Sequence, residues 1–416
     1  MIDRTVAPGF SKNFSFHLPQ PEIFTLTNGI DLVFLPDVRQ EIIKLEVVFS
    51  AGKWYEPQNG ISHFTASLLD KGTPHQSAKE ISEFFDYYGA HVEIISGYDY
   101  SSVSLYSLSK NLSKVFQLFG SILTSPTFPE NELELHKKLS IQDLKVNNKK
   151  NSFVASQLLR KNIFGKDHPY GTSLEEHDVT AITIDQIRLF YRAKYSPTAI
   201  YLLGNIARPE LKELIDYFSK LPVVKLSEKH IELNPFKENI HQPMPDSVQT
   251  SIRFGRTTIN RLHPDFPSLL LLNHLLGGYF GSRLMKNIRE EKGLTYGIYS
   301  SVQPLKQHCM MTIGADVNSE ALLIITEEIN KELNKLISHP VSEKELQVSK
   351  NHFLGNLQLE VSNPFSVMEK IKILKLYQLN SAFYYNLIQS VDSIDNKTLQ
   401  ACAANYLHSF QTVSVG

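Results

Sequence analysis

Two similar stretches, one in each half of this 416-residue chain, constrain its fold more than any other feature. Residues 123–139 read LTSPTFPENELELHKKL, and residues 336–353 read LISHPVSEKELQVSKNHF. Each joins an amphipathic helix, through a turn that contains proline, to a second helix that carries Glu-Leu. Roughly half of the chain separates the two stretches, which indicates that one structural unit occurs twice.

The first half begins with strand patterns. Residues 24–36 predict a hairpin that turns at Asn28-Gly29. In Ile42–Phe49, apolar residues alternate with Lys44 and Glu46, which predicts a strand with one buried and one exposed face. Two further strands are predicted at 91–99 and 100–108.

Helix patterns accompany these strands. An apolar face that starts at Ile61 predicts a helix ended by Gly72, and Ser77 with Glu80 forms a capping box for the next helix. A long helical stretch is expected from Pro129 to about Asn162. The second half repeats the order, with strands predicted at 248–256, 294–302 and 309–317 and helices at 264–278, 282–293, 320–340 and 342–357.

Strands grouped with runs of helices predict an α+β protein. We expect two homologous halves, each an antiparallel or mixed sheet packed with helices. The predicted domains are residues 1–222 and 244–416, joined by a polar, proline-containing linker at 223–243. A chain of this length is also long enough for two domains of ordinary size.

The amino-acid composition excludes several classes of function. Lys and Arg number 42 and Asp and Glu number 43, so no net field favours nucleic acid or an anionic membrane as a partner. The two cysteines, Cys309 and Cys402, are too few for a disulfide framework, which is typical of a reducing compartment. No segment is apolar over the ~18 residues that a membrane span needs. We expect a cytoplasmic protein, or a periplasmic one if a signal peptide preceded this sequence.

His63, in GISHFTASLLDKGT (60–73), is the first candidate functional residue. A zinc site that uses one helix places two histidines four residues apart with a carboxylate between them, but Ser67 and Ala66 occupy those positions here. A Ser67 nucleophile with His63 as its base lacks an orienting carboxylate, because Asp70 lies ~10 Å further along the helix axis. Without context, His63 reads as an ordinary helix residue.

The residues around His63 closely resemble the metallopeptidase family of pitrilysin, insulin-degrading enzyme and mitochondrial processing peptidase, and the likeness covers nearly the whole chain. It is carried by Ala51-Gly52, Glu56, Gly60, His63 and Lys71-Gly72-Thr73, then by Gly89-Ala90, HPYG (168–171), YSPTAIYLLGN (195–205) and LLGGYFGSRLMKNIREEKGLTYGIYSS (275–301). The resemblance implies two α+β halves that together form one side of a clamshell.

Measured against the family's zinc signature H-x-x-E-H, this chain is incomplete. Ala66 stands at the position of the catalytic base and Ser67 at that of a zinc ligand. The family's third ligand, a glutamate, falls near Gln142 to Asn147, where Asp143 is the only carboxylate. The resemblance therefore implies that this chain alone binds no zinc, with His63 left as a structural residue, and hydrolyses no peptide by that mechanism.

A second candidate pair lies in the other half. Arg289 is predicted in the last turn of a helix that Gly293 ends, and Tyr296 on the following strand. Taken singly, each suits an ordinary structural role. In the resembling family, an arginine and a tyrosine at this spacing bind the substrate and polarise its scissile carbonyl opposite the zinc. The loop before them departs from the family pattern, because Gly277-Gly278 is followed by Tyr279.

The family includes heterodimers in which one subunit carries the zinc motif and the other the Arg/Tyr pair. The leading hypothesis is therefore a non-catalytic subunit that supplies Arg289 and Tyr296 to a peptide substrate, with zinc bound by a homologous partner chain; in isolation the chain would form a homodimer. One alternative is a purely structural or peptide-binding homologue, such as the respiratory-complex core proteins of the same fold. The third is a self-sufficient zinc peptidase with unconventional ligands such as His63 and Asp143.

Overall fold

The strands of the molecule form two sheets. The computed structural model describes Thr5 and residues 16–224, 229–245 and 247–416. Within these ranges the first sheet has six strands and the second has five.

The first sheet comprises β1 (Glu22–Thr25), β2 (Asp31–Pro36), β3 (Ile42–Phe49), β4 (His91–Ser96), β5 (Ser101–Leu108) and β6 (Pro197–Gly204). The strands lie in the order β1-β2-β6-β3-β5-β4. β2 and β6 are parallel, and the other neighbouring pairs are antiparallel. β4 is therefore an outermost strand of this sheet.

The second sheet comprises β7 (Ile240–Gln242), β8 (Gln249–Thr258), β9 (Thr295–Pro304), β10 (Cys309–Asn318) and β11 (Gln411–Val415). Its order is β7-β11-β8-β10-β9, with β7 and β11 parallel and the other pairs antiparallel. β7 lies at the end of the segment predicted as a linker. β9 is an outermost strand, like β4 in the first sheet.

Helices surround both sheets. The first half contains α1 (Ile61–Ser67), α2 (Ala78–Tyr87), α3 (Leu112–Thr124), α4 (Glu130–Asn147), α5 (Asn151–Phe164), α6 (Glu176–Ala181), α7 (Ile184–Lys194) and α8 (Arg208–Phe218). The second contains α9 (Phe266–Asn273), α10 (Leu322–Ser338), α11 (Glu343–Glu360), α12 (Pro364–Leu376), α13 (Phe383–Ser393) and α14 (Asn396–Tyr406), and two π-helical segments, His274–Gly278 and Met285–Glu291. None of the helices in the described ranges is long and apolar enough to cross a bilayer.

The two halves share one topology. The strands β2, β6, β3, β5 and β4 correspond in order and direction to β7, β11, β8, β10 and β9. The helices correspond as well, since α1 packs on α4, α7 and β4, whereas α9 packs on α11, α14 and β9. The prediction of two homologous halves, each a mixed sheet packed with helices, is confirmed.

Each half also covers the sheet of the other with one of its helices. α5 packs against β8 and β11 of the second sheet, and α12 packs against β6 of the first. The contact of α12 buries Val33, Leu35, Val48, Ala199, Tyr201 and Leu203 against Val367, Met368 and Ile371. The contact of α5 buries Ala155, Leu159 and Ile163 with Met310, Val413 and Val415. Hydrophobic burial of this kind is the main stabilising term in folding.

The exposed face predicted for the strand Ile42–Phe49 is wrong. Lys44 is 7% exposed and Glu46 is 2% exposed, because α12 from the second half lies over them. The carboxylate of Glu46 lies 2.9 Å from the ammonium group of Lys44 and 2.8 Å from that of Lys372, and Lys44 also donates to Glu369 at 2.9 Å. The charged residues of the alternating pattern therefore form a buried ionic cluster between the halves.

Other local predictions have mixed outcomes. The hairpin at Asn28-Gly29 and the capping box of Ser77 and Glu80 are confirmed. The helix expected to end at Gly72 stops earlier, at Ser67. The long helix expected from Pro129 to Asn162 is two helices, α4 and α5, separated at residues 148–150.

A polar cluster joins the β4–β5 turn of the first half to the β9–β10 turn of the second. The Asp99 carboxylate accepts hydrogen bonds from the Tyr170 hydroxyl and from the backbone N–H of Lys306, the latter at 2.9 Å. His168 packs against Tyr170, and its Nδ1 accepts from the Tyr170 N–H at 3.1 Å. Burial, together with the proximity of His308, lowers the pKa of His168 to about 4.

Stability is expected to fall as the pH is lowered from about 6.5 to about 4, and His168 should account for about 2 kcal/mol of the loss between pH 7.5 and pH 5.0. In that range the unfolded chain binds a proton at this histidine and the folded chain does not. Urea unfolding at pH 7.5 and pH 5.0 measures the difference. His168→Asn keeps an acceptor for the Tyr170 N–H but does not titrate, so its stability should depend less on pH; an unchanged dependence would contradict this assignment.

Candidate functional site

The helix α1, which carries His63, is held in place by interactions that need no metal. The Glu56 carboxylate accepts hydrogen bonds from the Gly60 and Ser62 N–H groups, each at 3.2 Å, and from the Ser62 hydroxyl at 2.8 Å. Phe64 and Ala66 are buried. Packing and these hydrogen bonds therefore account for the helix.

The imidazole of His63 lies at the mouth of a cavity of about 350 Å³, which Lys53, Glu56 and Tyr98 also line. The ring keeps contact with solvent, yet the protein atoms packed around it lower its pKa, and His136 on α4 adds to this shift. His63 is therefore neutral near pH 7. The Lys53 ammonium in the same cavity donates to the Thr172 carbonyl at 2.7 Å.

The residues beside His63 do not complete a catalytic or zinc site. The Ser67 hydroxyl donates its proton to the backbone carbonyl of His63 at 2.9 Å, so in this arrangement it does not donate to the imidazole. Asp143 is exposed on α4 and is not among the groups that shift the pKa of His63. Among the described residues, no three His, Cys, Asp or Glu side chains are grouped so that they could hold a metal ion. The residues present do not fit the zinc that the H-x-x-E-H signature implies.

A double variant, Ala66→Glu with Ser67→His, is expected to restore the H-x-x-E-H sequence without restoring a peptidase. Two histidines would then be available on α1, but α4 presents His136 rather than a carboxylate to this region. Zinc content after dialysis and cleavage of a fluorogenic peptide measure the outcome. Stoichiometric zinc with peptide cleavage in the isolated variant would show that a third ligand is already present.

Arg289 lies in the π-helical segment Met285–Glu291, in its last turn, as the sequence predicts. The Lys292 N–H donates to the Asn287 carbonyl at 3.1 Å, which closes one wide π-helical turn. Gly293 follows with φ of 63°, a conformation that glycine adopts without steric cost, and the chain turns there into β9. π-Helical turns are rare and frequently occur at functional sites.

The guanidinium group of Arg289 has no acceptor within the described part of the chain. Its central carbon lies 4.6 Å from the centroid of the Phe280 ring. Two neighbouring cations, by contrast, are paired: Arg283 with Glu345 and Lys292 with Glu328. All five N–H groups of Arg289 are therefore available to a bound molecule.

Tyr296 is the second residue of β9 and is 94% exposed. Its hydroxyl makes no hydrogen bond to any residue of the described ranges. The phenol is therefore free to donate a hydrogen bond to a bound molecule. The structure thus places Arg289 and Tyr296 on consecutive elements, joined by the short turn at 292–294.

Two descriptions of one peptidase family match the chain. "Insulinase (Peptidase family M16)" matches residues 33–177, and "Peptidase M16 inactive domain" matches residues 181–353. Together they span more than half of the chain. This chain belongs to peptidase family M16. The inactive-domain match runs from the end of α6 into α11 and includes both Arg289 and Tyr296, whereas α1 lies in the insulinase match.

The chain is also similar to known proteins and to a solved structure. The chain is 27% identical, over 83% of its length and 86% of the relative, to a Bacillus subtilis protein named uncharacterized zinc protease YmxG. A Rickettsia bellii protein named uncharacterized zinc protease is 25% identical over 80% of this chain and 82% of its own. The fold matches a crystal structure of a peptidase M16 inactive domain from Pseudomonas fluorescens, with a TM-score of 0.86, 23% identity and coverage of 95% and 98% of the two chains.

Sequence reasoning missed two features of this M16 chain. Phe280 carries no sequence signal for its contact with Arg289, because that contact depends on the loop between the π-helical segments. The cavity beside His63 was also missed, since Lys53 and Tyr98 come from separate loops. Both features depend on how distant segments pack.

Proposed function

We propose that this M16 chain is the non-catalytic subunit of a heterodimeric zinc metallopeptidase that works in the cytoplasm. A homologous partner chain with an intact H-x-x-E-H motif would bind the zinc and supply the base. The two chains would close as a clamshell around a peptide. The proposal rests on two side chains, Arg289, whose guanidinium group has no hydrogen-bond acceptor within the described ranges, and the exposed Tyr296. Both occur in a chain whose helix α1 lacks the zinc ligands of the H-x-x-E-H motif.

In this assembly, Arg289 and Tyr296 would donate hydrogen bonds to the carbonyl oxygen of the scissile peptide bond. A cation and a phenol that point at a developing negative charge stabilise it more strongly than they stabilise the neutral carbonyl. The peptide itself would extend along a sheet edge of the partner, where main-chain hydrogen bonds give affinity for many sequences.

The test is reconstitution. The chain and its zinc-bearing homologue from the same organism are purified separately, and cleavage of an internally quenched peptide is measured for each and for their mixture. We expect activity in the mixture only, together with a 1:1 complex by light scattering. Equal activity of the isolated chain would overturn the proposal in favour of a self-sufficient peptidase.

A complex that forms without cleaving peptides would favour a structural subunit instead.

The same reconstitution is repeated with the variant His63→Gln, a change in helix α1. Because His63 has no catalytic part in this proposal, the reconstituted activity of His63→Gln should equal that of the unmodified chain. A large loss would place His63 in the chemistry.

A further inference from the structure

Phe280 lies on the loop between the two π-helical segments, directly against Arg289. Its ring is 60% exposed, so core packing does not explain its position. The distance of 4.6 Å between the guanidinium carbon and the ring centroid is that of a cation–π contact. We propose that Phe280 is a positioning residue that holds the guanidinium plane of Arg289 ready for the peptide carbonyl; this rests on the proposed function.

The π-helical segment that leads into the loop is fixed to the strand that carries Tyr296. A Cβ on Gly277 would lie 2.7 Å from the backbone nitrogen of Ser300 on β9, so this segment and the strand touch through their backbones. The Ser300 hydroxyl also donates to the Asn273 carbonyl at 2.9 Å. Glycine is required at 277 because any side chain would push the loop away from β9.

The first residue of the loop, Tyr279, is fixed to α11. The Tyr279 ring stacks on the His274 ring with centroids 4.6 Å apart and planes 9° from parallel. It also packs on His352 of α11 at 4.4 Å. The two imidazoles are hydrogen-bonded to each other, Nε2 to Nδ1, at 2.9 Å. Phe280, the next residue, therefore extends from an anchored backbone.

These contacts form one continuous path from Tyr296 to Arg289. It runs along β9 to Ser300, across to Gly277, and through the loop to Phe280. An arginine without a hydrogen-bond acceptor otherwise samples many rotamers, and stacking on a fixed ring restricts the guanidinium while leaving its N–H edges free. The residues that follow Gly277-Gly278, where this chain departs from the family pattern, thus have separate roles. Tyr279 anchors the loop, and Phe280 orients the guanidinium group of Arg289.

The test uses the reconstituted complex and an internally quenched peptide. Phe280→Ala and Phe280→Leu should each lower kcat by about threefold to fivefold with little change in KM. Phe280→Tyr and Phe280→Trp keep an aromatic face and should restore most of the rate. In an Arg289→Ala background, Phe280→Ala should have no further effect, because the group that it positions is absent.

Phe236→Ala serves as the matched control, because Phe236 is 45% exposed and makes no ring or cation contact within the described ranges. Its kcat should be unchanged. If Phe280→Ala and Arg289→Ala lower kcat by independent factors, the positioning role is wrong while the proposed function stands. If Arg289→Ala itself leaves kcat unchanged, the proposed function fails.

The contact between Phe280 and Arg289 can also be tested by NMR on the isolated chain, without a partner. The ring current of Phe280 should shift the Arg289 side-chain proton resonances upfield, and Phe280→Leu should remove that shift while Phe280→Tyr retains it. Identical Arg289 resonances in the unmodified chain and in Phe280→Leu would show that the Phe280 ring does not stack on the Arg289 guanidinium group.

Discussion

Arg289→Ala is expected to lower kcat of the reconstituted complex about 100-fold, the usual effect of removing one donor that stabilises a developing oxyanion. Tyr296→Phe, which removes a single hydroxyl, should lower it to a similar degree. KM should change much less, because the carbonyl oxygen gains negative charge only in the transition state. Initial rates over a range of peptide concentrations separate the two parameters.

Neighbouring residues provide matched controls for this pair. Lys286→Ala removes an exposed cation one turn before Arg289, and Tyr299→Phe removes a half-exposed hydroxyl from the same strand as Tyr296. Both should keep nearly full activity, and the zinc content of the complex should be the same in all four variants. Equal losses in the controls would show that the substitutions disturb the surface in general.

Glu46→Gln is expected to lower the free energy of unfolding by about 3 kcal/mol, which is typical when one member of a buried ion pair is removed. The substitution keeps the shape of the side chain but leaves the ammonium groups of Lys44 and Lys372 to share Glu369 as their one carboxylate partner among the described residues. The pKa of Lys44 is raised by Glu46 and Glu369 against the opposing effect of burial, so its charge also depends on this cluster. Urea unfolding at pH 7.5 measures the change.

Glu83→Gln is the control for that measurement. Glu83 pairs with Lys79 at 3.6 Å on the exposed face of α2, where an ion pair contributes within about 0.5 kcal/mol. A loss for Glu46→Gln no larger than that of Glu83→Gln would mean that the packing of α12 on the first sheet is independent of the charges beneath it.

The fold was predictable where local patterns and internal repetition decide it. Asn28-Gly29 specifies its turn through backbone conformations that few residues adopt, and Ser77 with Glu80 completes a cap within one helical turn. The repeated helix pair indicated the duplication. Each of these signals involves residues close in sequence or a comparison of the chain with itself.

The errors have two physical causes, which are packing between segments far apart in the chain and a local break in a helix. The alternation of Lys44 and Glu46 is the pattern of a solvated face, and nothing local reveals that α12 covers it. The break between α4 and α5 falls in NNKKN (147–151), where asparagines and lysines lack apolar residues that would hold a continuous helix. α5 then turns to reach the second sheet, a partner that no local pattern specifies.

The candidate site was located by resemblance and given physical content by the structure. Sequence placed Arg289 near a helix end and Tyr296 on a strand, and both placements are observed. It did not reveal that the guanidinium lacks an acceptor or that the tyrosine is almost fully exposed. The free guanidinium group and the exposed ring both result from the absence of neighbouring side chains in the described ranges, which depends on how the whole chain packs.

The exchange of helices between the halves also has a consequence during synthesis on the ribosome. The last strand of the first sheet, β6, emerges well before α12, so the face with Val33, Leu35 and Tyr201 stays uncovered meanwhile. At ordinary translation rates this interval is on the order of ten seconds. A nascent chain with an apolar sheet face open for that long is a natural client for ribosome-associated chaperones, and the first half cannot reach its final state until nearly all of the chain has been made.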